Sequence, residues 1–571
     1  MQPLNRESLL NTYPVFLLEV LWEGYRYRFA SYGVEVIGVD GGIYFDGGLT
    51  DPELEEKMES IQSDPESGSV AIEVIFPVDL VQKYMEEGKS LDNALAELSM
   101  VLERDGAIET SYEDRIKLFS GVIVQPIIGD PEQPTGYTNF SIERNPLNAP
   151  KTLIPTGWRI NTTTPLISPQ DIGESSLGKV YPFVFGAPTE YPIQKEVYAT
   201  PAYIIRRDRS SIHTTDPRAD IIDLMIAGHD VEATTIDLID FAGNVATGVN
   251  VLKAVDSKNQ IYSYVRIQPY SYSAPTYTKL IDIVTPWMEG STTSSPEYWC
   301  SWSGGGAFPN PYGSGALEGG GDLIRYMLST SGVLVDLESW NNIAQFLNAY
   351  LFGGYINDPE ITAYEWVMTN IVDLLPVEIV NGFNGLRGVI PLYYKSTYIQ
   401  ARINLVLDSG AYQISAFEPI NEPDDIINSV EFKFAYNSVS KEYPVRYRLA
   451  GSLLPEDYSY IDTNVEAGLL SHSIYGERHR ERECLFVYDF RTAGKICTYI
   501  VRKNAFLKTS IQIQTDIQYG YLDIGDVISI TSTKLYMDAV RVQIISKIWA
   551  DNSWIFNVVL EDNISMRTKR R

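Results

Sequence analysis

Few residues of the 571-residue chain have types and spacings that could do chemistry. The four histidines are His213, His229, His472 and His479, and no two have the spacing at which one helix face offers a metal two imidazoles. Surface or hydrogen-bonded histidine is the expectation. His472 and His479 sit in or beside a run where Arg478, Arg480 and Arg482 alternate with Glu477, Glu481 and Glu483, which reads as a solvated or intersubunit face. Cys300, Cys484 and Cys497 are odd in number and lack CxxC spacing, so buried free thiols are expected rather than a disulfide framework or a thiolate zinc site. Glycine triplets occur at 304–306 and 319–321, the second just before a helical pattern, where a phosphate cradle would stand. No lysine follows as in GxxxxGK[ST], which leaves a flexible connection into the helix. The run Arg206-Arg207-Asp208-Arg209 reads as a salt-bridged edge strand or contact patch.

Asn421-Glu422-Pro423 is similar to the acid/base segment of one large clan of glycoside hydrolases, where the Glu protonates the leaving oxygen and a second carboxylate attacks. That clan uses a (β/α)₈ barrel, whereas antiparallel strand patterns flank the triplet here. The expectation is therefore no enzyme, with no catalytic, cofactor-binding or metal residue assigned and no cofactor required.

The elements that would position these residues are mostly strands. Phe16, Leu18, Val20 and Trp22 alternate up to Glu23-Gly24, and Tyr25, Tyr27 and Phe29 resume the alternation, which predicts a hairpin. Strand patterns recur at 70–76, 119–128, 137–143, 221–226, 234–240, 249–255 and 260–268. Leu91, Leu95, Leu98 and Leu102 stand at helical spacing behind Ser90, which predicts a helical pair inserted at about 78–103. Three amphipathic stripes follow residue 321, with Asp336 and Asp358 as caps, and predict a small helical subdomain. Beyond Pro376 strands dominate again, interrupted by a helix at 489–501, and the last four read as a compact antiparallel barrel.

Lys plus Arg total 45 against 74 Asp plus Glu, and the net charge of −29 argues against broad adsorption to nucleic acid or anionic lipid. No apolar run approaches the roughly 18 residues of a membrane span, so a soluble protein made in the cytoplasm is expected. With 38 Tyr, 42 Gly and 31 Pro, the composition favours many strands joined by tight turns. No 20- to 50-residue repeat is visible, which sets solenoids and propellers aside.

In the C-terminal third, the order 425–436 (DIINSVEFKFAY), 473–476 (SIYG), 489–493 (DFRTA) and 521–534 (YLDIGDVISITSTK) resembles the baseplate hub, or tail-associated, proteins of tailed bacteriophages. The segments 178–188 (GKVYPFVFGAP), 321–336 (GDLIRYMLSTSGVLVD) and 374–385 (LLPVEIVNGFNG) are similar to the same proteins, as is the opening hairpin with Tyr25-Arg26-Tyr27. The resemblance implies a homotrimeric hub at the tail tip, in which two related β-barrel domains per subunit form a pseudo-six-fold ring continuing the tail tube. Implied partners are tail tube and distal tail proteins, the tape measure protein and tail fibre or tip proteins. DNA would pass through the lumen without specific binding. The location would be the virion tail tip.

The expected fold is mainly β with α insertions (α+β) and multi-domain. The expected parts are an N-terminal β-barrel-like domain at 1–155 holding the helical pair, a second β-rich domain at 156–318, a helical insertion at 319–385, and a C-terminal β domain at 386–571 ending in an antiparallel barrel. The alternative function is a glycan-active enzyme or a sugar-binding adhesin, for which 38 Tyr and 9 Trp could stack on sugars. Aromatics facing cores would deny it.

Overall fold

The computed structural model describes residues 12–32, 36–37, 43–44, 48–50, 52, 54–57, 69–75, 86–108, 111–128, 137–143, 178–187, 199–208, 221–240, 244–255, 259, 261–268, 276, 298–302, 307–332, 334–382, 385–390, 401–407, 413–419, 423–438, 440–449, 460–462, 466–533, 537–550 and 553–560. The protein is mainly β, with several antiparallel sheets and few helices.

The predicted hairpin opens the N-terminal sheet. Strand Thr12–Trp22 pairs antiparallel with Tyr25–Ala30 across Glu23-Gly24, whose φ values of 51° and 82° give the left-handed pair a two-residue turn needs. Phe16, Leu18, Val20 and Trp22 all face one core. The sheet continues through Leu95–Arg104, Ile116–Ile128 and Tyr137–Glu143 to Ser69–Ile75. Its two edge strands are drawn together by residues 48–50: Leu49 N donates to Ala30 O at one edge, and Ile75 N donates to Gly48 O at the other.

Leu95–Arg104 is a strand, which corrects the helix expected at about 78–103 over that stretch. It runs antiparallel between Thr12–Trp22 and Ile116–Ile128. Leu91, Leu98 and Leu102 have helical spacing, but Ala96, Leu98, Met100 and Leu102 alternate at period two and all reach the same core. A central position between two partners, with a buried stripe at strand period, overrides the weaker local helical signal. Ser90 takes part in a turn, its hydroxyl accepting from Asp92 N, and does not cap a helix. Residues 76–85 lie outside the described residues.

The closed barrel lies in the middle of the chain. Ala199–Asp208, Ile221–Ala227, Ile261–Ile267, Val245–Val255, Thr235–Asp240 and Tyr298–Ser301 follow one another around it, antiparallel throughout. Leu224, Ile226, Leu238, Val265 and Cys300 fill its interior. The barrel expected at the end of the chain is instead a seven-stranded sheet that does not close among the described residues. It pairs Asn404–Val406 in parallel with Val527–Ser532, then runs through Met537–Ala550, Ser553–Leu560 and Thr509–Thr515 to Gln413–Pro419. Met537–Ala550 also pairs with Glu55–Lys57 from the N-terminal part. The alternation along the final strands matches the observed strands; which strand closes on which is a long-range choice that alternation does not encode.

Helices α1 (Gly320–Thr330), α2 (Leu337–Leu347) and α3 (Ala363–Asn370) pack together as the stripes predict. Asp336 caps α2 by accepting from Glu338 N and Ser339 N. The third helix starts later than Asp358, behind Thr362, whose hydroxyl accepts from Glu365 N. Two more helices follow, α4 (Glu466–Tyr475) and α5 (Phe490–Asn504), the second behind the Asp489 cap. One face of α5 packs on a four-stranded sheet of Ser429–Phe434, Val445–Leu449, Tyr460–Asp462 and His479–Glu483.

Two apolar clusters hold most of the described core. One joins the barrel, helices α1 to α3, the four-stranded sheet and α5. The other joins the N-terminal and C-terminal sheets, so the first and last parts of the chain share a core; Phe16 meets Trp549 edge to face with ring centroids 5.6 Å apart.

Candidate functional site

The segments singled out in the sequence meet at joints. Hairpin Glu378–Gly382/Gly385–Val389 lies against the turn at 523–526, where Val380, Val389 and Ile524 form a small apolar cluster. Beside it opens a cleft of about 440 Å³, lined among others by Asp336, Ser339, Arg387, Arg402, Tyr521 and Asp526. Four charges clasp it. Arg387 reaches Asp523 at 3.2 Å and Asp526 at 3.8 Å, and Arg402 reaches Asp526 at 2.8 Å. The Asp526 side chain is 4 % exposed. Burial raises its carboxyl above the ordinary range, opposed by the Arg402 charge and the hydrogen bond from Asp523 N. The cleft thus holds opposite charges already paired within the protein, an arrangement suited to fixing two parts of the chain together.

Other segments lock in the same way. Asn428 donates through Nδ2 to Gly476 O at 2.8 Å and accepts from Arg478 N at 2.7 Å, latching 425–436 onto the end of α4. Thr492, in the first turn of α5, accepts from Leu351 N at 3.0 Å. Strand Phe183–Phe185 pairs with Gly354–Ile356, and a Cβ on Gly186 would strike Phe352 O. Each contact is packing, capping or pairing.

The candidate chemical residues are placed as follows. His229 is buried against Phe183 and Phe308. Its Nε2 accepts from Val184 N at 2.9 Å and its Nδ1 donates to Asp230 O at 2.8 Å, the pattern of a neutral imidazole. Burial drives its pKa down to about 4. All three cysteines are buried and unpaired, and burial pushes Cys300 and Cys484 up to about 12 and Cys497 higher still, so none offers a thiolate.

The second glycine triplet is neither a cradle nor a flexible connection. A Cβ on Gly321 would stand 2.6 Å from both Ala344 Cα and Ala344 O, so glycine lets α1 press against α2. The helix start is already served, with Gly320 N donating to Tyr350 O and Asp322 N to Asn348 Oδ1. His213, Arg209, the triplet 304–306, Asn421 and Glu422 lie outside the described residues; Arg206 to Asp208 fall in barrel strand Ala199–Asp208.

One arrangement has no signature in the sequence. Parallel pairing of Ser429–Phe434 with His479–Glu483 brings Glu431, His479 and Glu481 together, with one donor atom of each within 4.8 Å of the others. Among the described residues this is the group that could hold a metal ion. Sequence spacing alone hides it, because the paired strands are about fifty residues apart along the chain.

No protein-family model and no curated protein sequence matches the chain. Among the solved structures it aligns with are phage tail and virion proteins, at low identity and low TM-score. One is a tail protein from Neisseria meningitidis, 8% identical over 96% of this chain and 97% of that one, with a TM-score of 0.33. Another is the 43 kDa tail protein of prophage MuSo2 from Shewanella oneidensis, 9% identical over 96% and 98%, TM-score 0.35. A third is the virion of a native gene transfer agent particle, 11% identical over 69% of this chain and 87% of that one, TM-score 0.39.

Proposed function

We propose that the chain is a structural, non-enzymatic component of a bacteriophage tail tip, a trimeric baseplate hub that adapts the six-fold tail tube to three-fold tip proteins. The observation that carries this reading is the placement of the segments resembling hub proteins, which are spent on latching, capping and close packing. Two barrel-type units per chain supply repeated wall elements: the closed barrel, and the N-terminal sheet whose edges residues 48–50 draw together. Three copies would present six such units to a tube, and pairing of exposed strand edges across subunits in a closed ring avoids open polymers. A charge of −29 suits a lumen that lets DNA slide, since an acidic wall repels phosphates.

The sugar-binding alternative loses the support of its described tryptophans, since Trp22, Trp299, Trp302, Trp340, Trp366, Trp549 and Trp554 are all buried in cores, while Tyr13, Tyr25, Tyr32 and Tyr521 are exposed. Light scattering of the purified chain, alone and with tube protein, tests the assembly: the trimer mass and binding at one end of the tube are expected. Turnover on polysaccharide or peptidoglycan that vanishes in Glu422→Gln would replace this reading with the enzymatic one.

A further inference from the structure

Three side chains on the four-stranded sheet each keep an unused metal-binding atom. The parallel register sets Ser429 opposite His479 and Glu431 opposite Glu481, and directly opposed partners share a face. His479 Nδ1 lies 3.0 Å from the Ser429 hydroxyl, which leaves Nε2 available. Glu481 spends Oε2 on Lys433 Nζ at 3.0 Å and keeps Oε1. Glu431 is the decisive member. Its side chain is 5 % exposed, and the nearest cation, Arg446, is 3.6 Å away, beyond hydrogen-bond distance. Arg446 pairs with Oε1 as an ion pair rather than a hydrogen bond, which leaves Oε2 of this largely buried side chain for a metal ion.

We propose that Glu431, His479 and Glu481 form a binding site for a divalent transition-metal ion of the zinc class. One imidazole and two carboxylates suit zinc, whereas calcium and magnesium take oxygen ligands. The Ser429 hydroxyl on Nδ1 is the outer partner that orients a ligating imidazole. Three protein ligands leave one tetrahedral position open, to water or to a side chain from another molecule. Lys433 and Arg446 compete with the ion; Arg446 is about half exposed and free to swing away, and Lys433 must release Glu481. That competition sets the affinity below that of a closed structural site.

Calorimetric titration of the full chain with zinc chloride in metal-free buffer tests the site, with cobalt as a spectroscopic probe. One saturable site per chain is expected. Affinity should fall tenfold or more in Glu431→Gln and in His479→Gln, and rise in Lys433→Met, where a competing cation is gone. The visible cobalt band should disappear in His479→Gln. Because His479 is exposed, that variant keeps the test valid even if Glu431→Gln does not fold. No saturable binding by the wild type, or binding equally tight in both ligand variants, would overturn the proposal; the second result would place the ion elsewhere, for example on His472.

Discussion

Lowering the pH from 7 to 5 should weaken the body built around the barrel through one residue, His229. The imidazole is buried, accepts from Val184 N and stays neutral, with its pKa driven from 6.5 down to about 4 by loss of solvation. In the unfolded chain it titrates at its ordinary value, so the unfolded state binds the proton first as pH falls. Stability from the neutral ring is therefore present above about pH 6.5 and is lost progressively toward pH 4. At pH 5 the unfolded imidazole is almost fully protonated and the folded one about one-tenth so, which makes the loss between pH 7 and pH 5 about 2 kcal/mol. Carboxylates also titrate in this range, so the readout is a difference. Wild type and His229→Gln are unfolded in urea at several pH values, with fluorescence of Trp302, Trp340 and Trp366, all buried in the same cluster, as the probe. His229→Gln should be the less stable at pH 7, and its deficit should shrink by about 2 kcal/mol at pH 5. A deficit that stays constant with pH, or an imidazole resonance of His229 titrating near 6.5, would refute the reasoning.

Three further outcomes follow from the packing. Arg402→Met removes the half-exposed cation 2.8 Å from the buried Asp526 carboxylate, and denaturant unfolding should show a loss of about 1 to 2 kcal/mol, smaller in the double variant with Asp526→Asn. Gly321→Ala forces a methyl group against the Ala344 backbone, and calorimetry should show a loss of about 1 to 3 kcal/mol with α1 displaced from α2. A thiol reagent should leave Cys300, Cys484 and Cys497 unmodified in the native protein and label all three after denaturation, since each is buried with its thiolate disfavoured.

Several elements that local chemistry decides are legible in the sequence, although the α3 cap at Thr362 is not. The opening hairpin, the Asp336 cap and the period-two runs of the late strands all depend on neighbours within a few residues. Sequence reading failed where a distant partner decides. Leu95–Arg104 becomes a strand because it lies between two others, and the closed barrel forms in the middle of the chain because Tyr298–Ser301 bridges Ala199–Asp208 and Thr235–Asp240. Helix α4 leaves no clear mark in the sequence, which lacks a sharp apolar stripe, with Leu469 and Ile474 left exposed. The Glu431, His479 and Glu481 group is invisible for a related reason: only the strand register, not spacing, brings it together.

The most direct test of the central claim is electron microscopy of the purified full chain, alone and bound to tail-tube protein, at a resolution that separates the barrels. A closed three-fold ring is predicted, with the barrel at 199–301 and the N-terminal sheet alternating around its axis and with Asp and Glu dominating the lumen. A chain that remains monomeric at high concentration with tube protein present, or a ring lined by Lys and Arg, would contradict it.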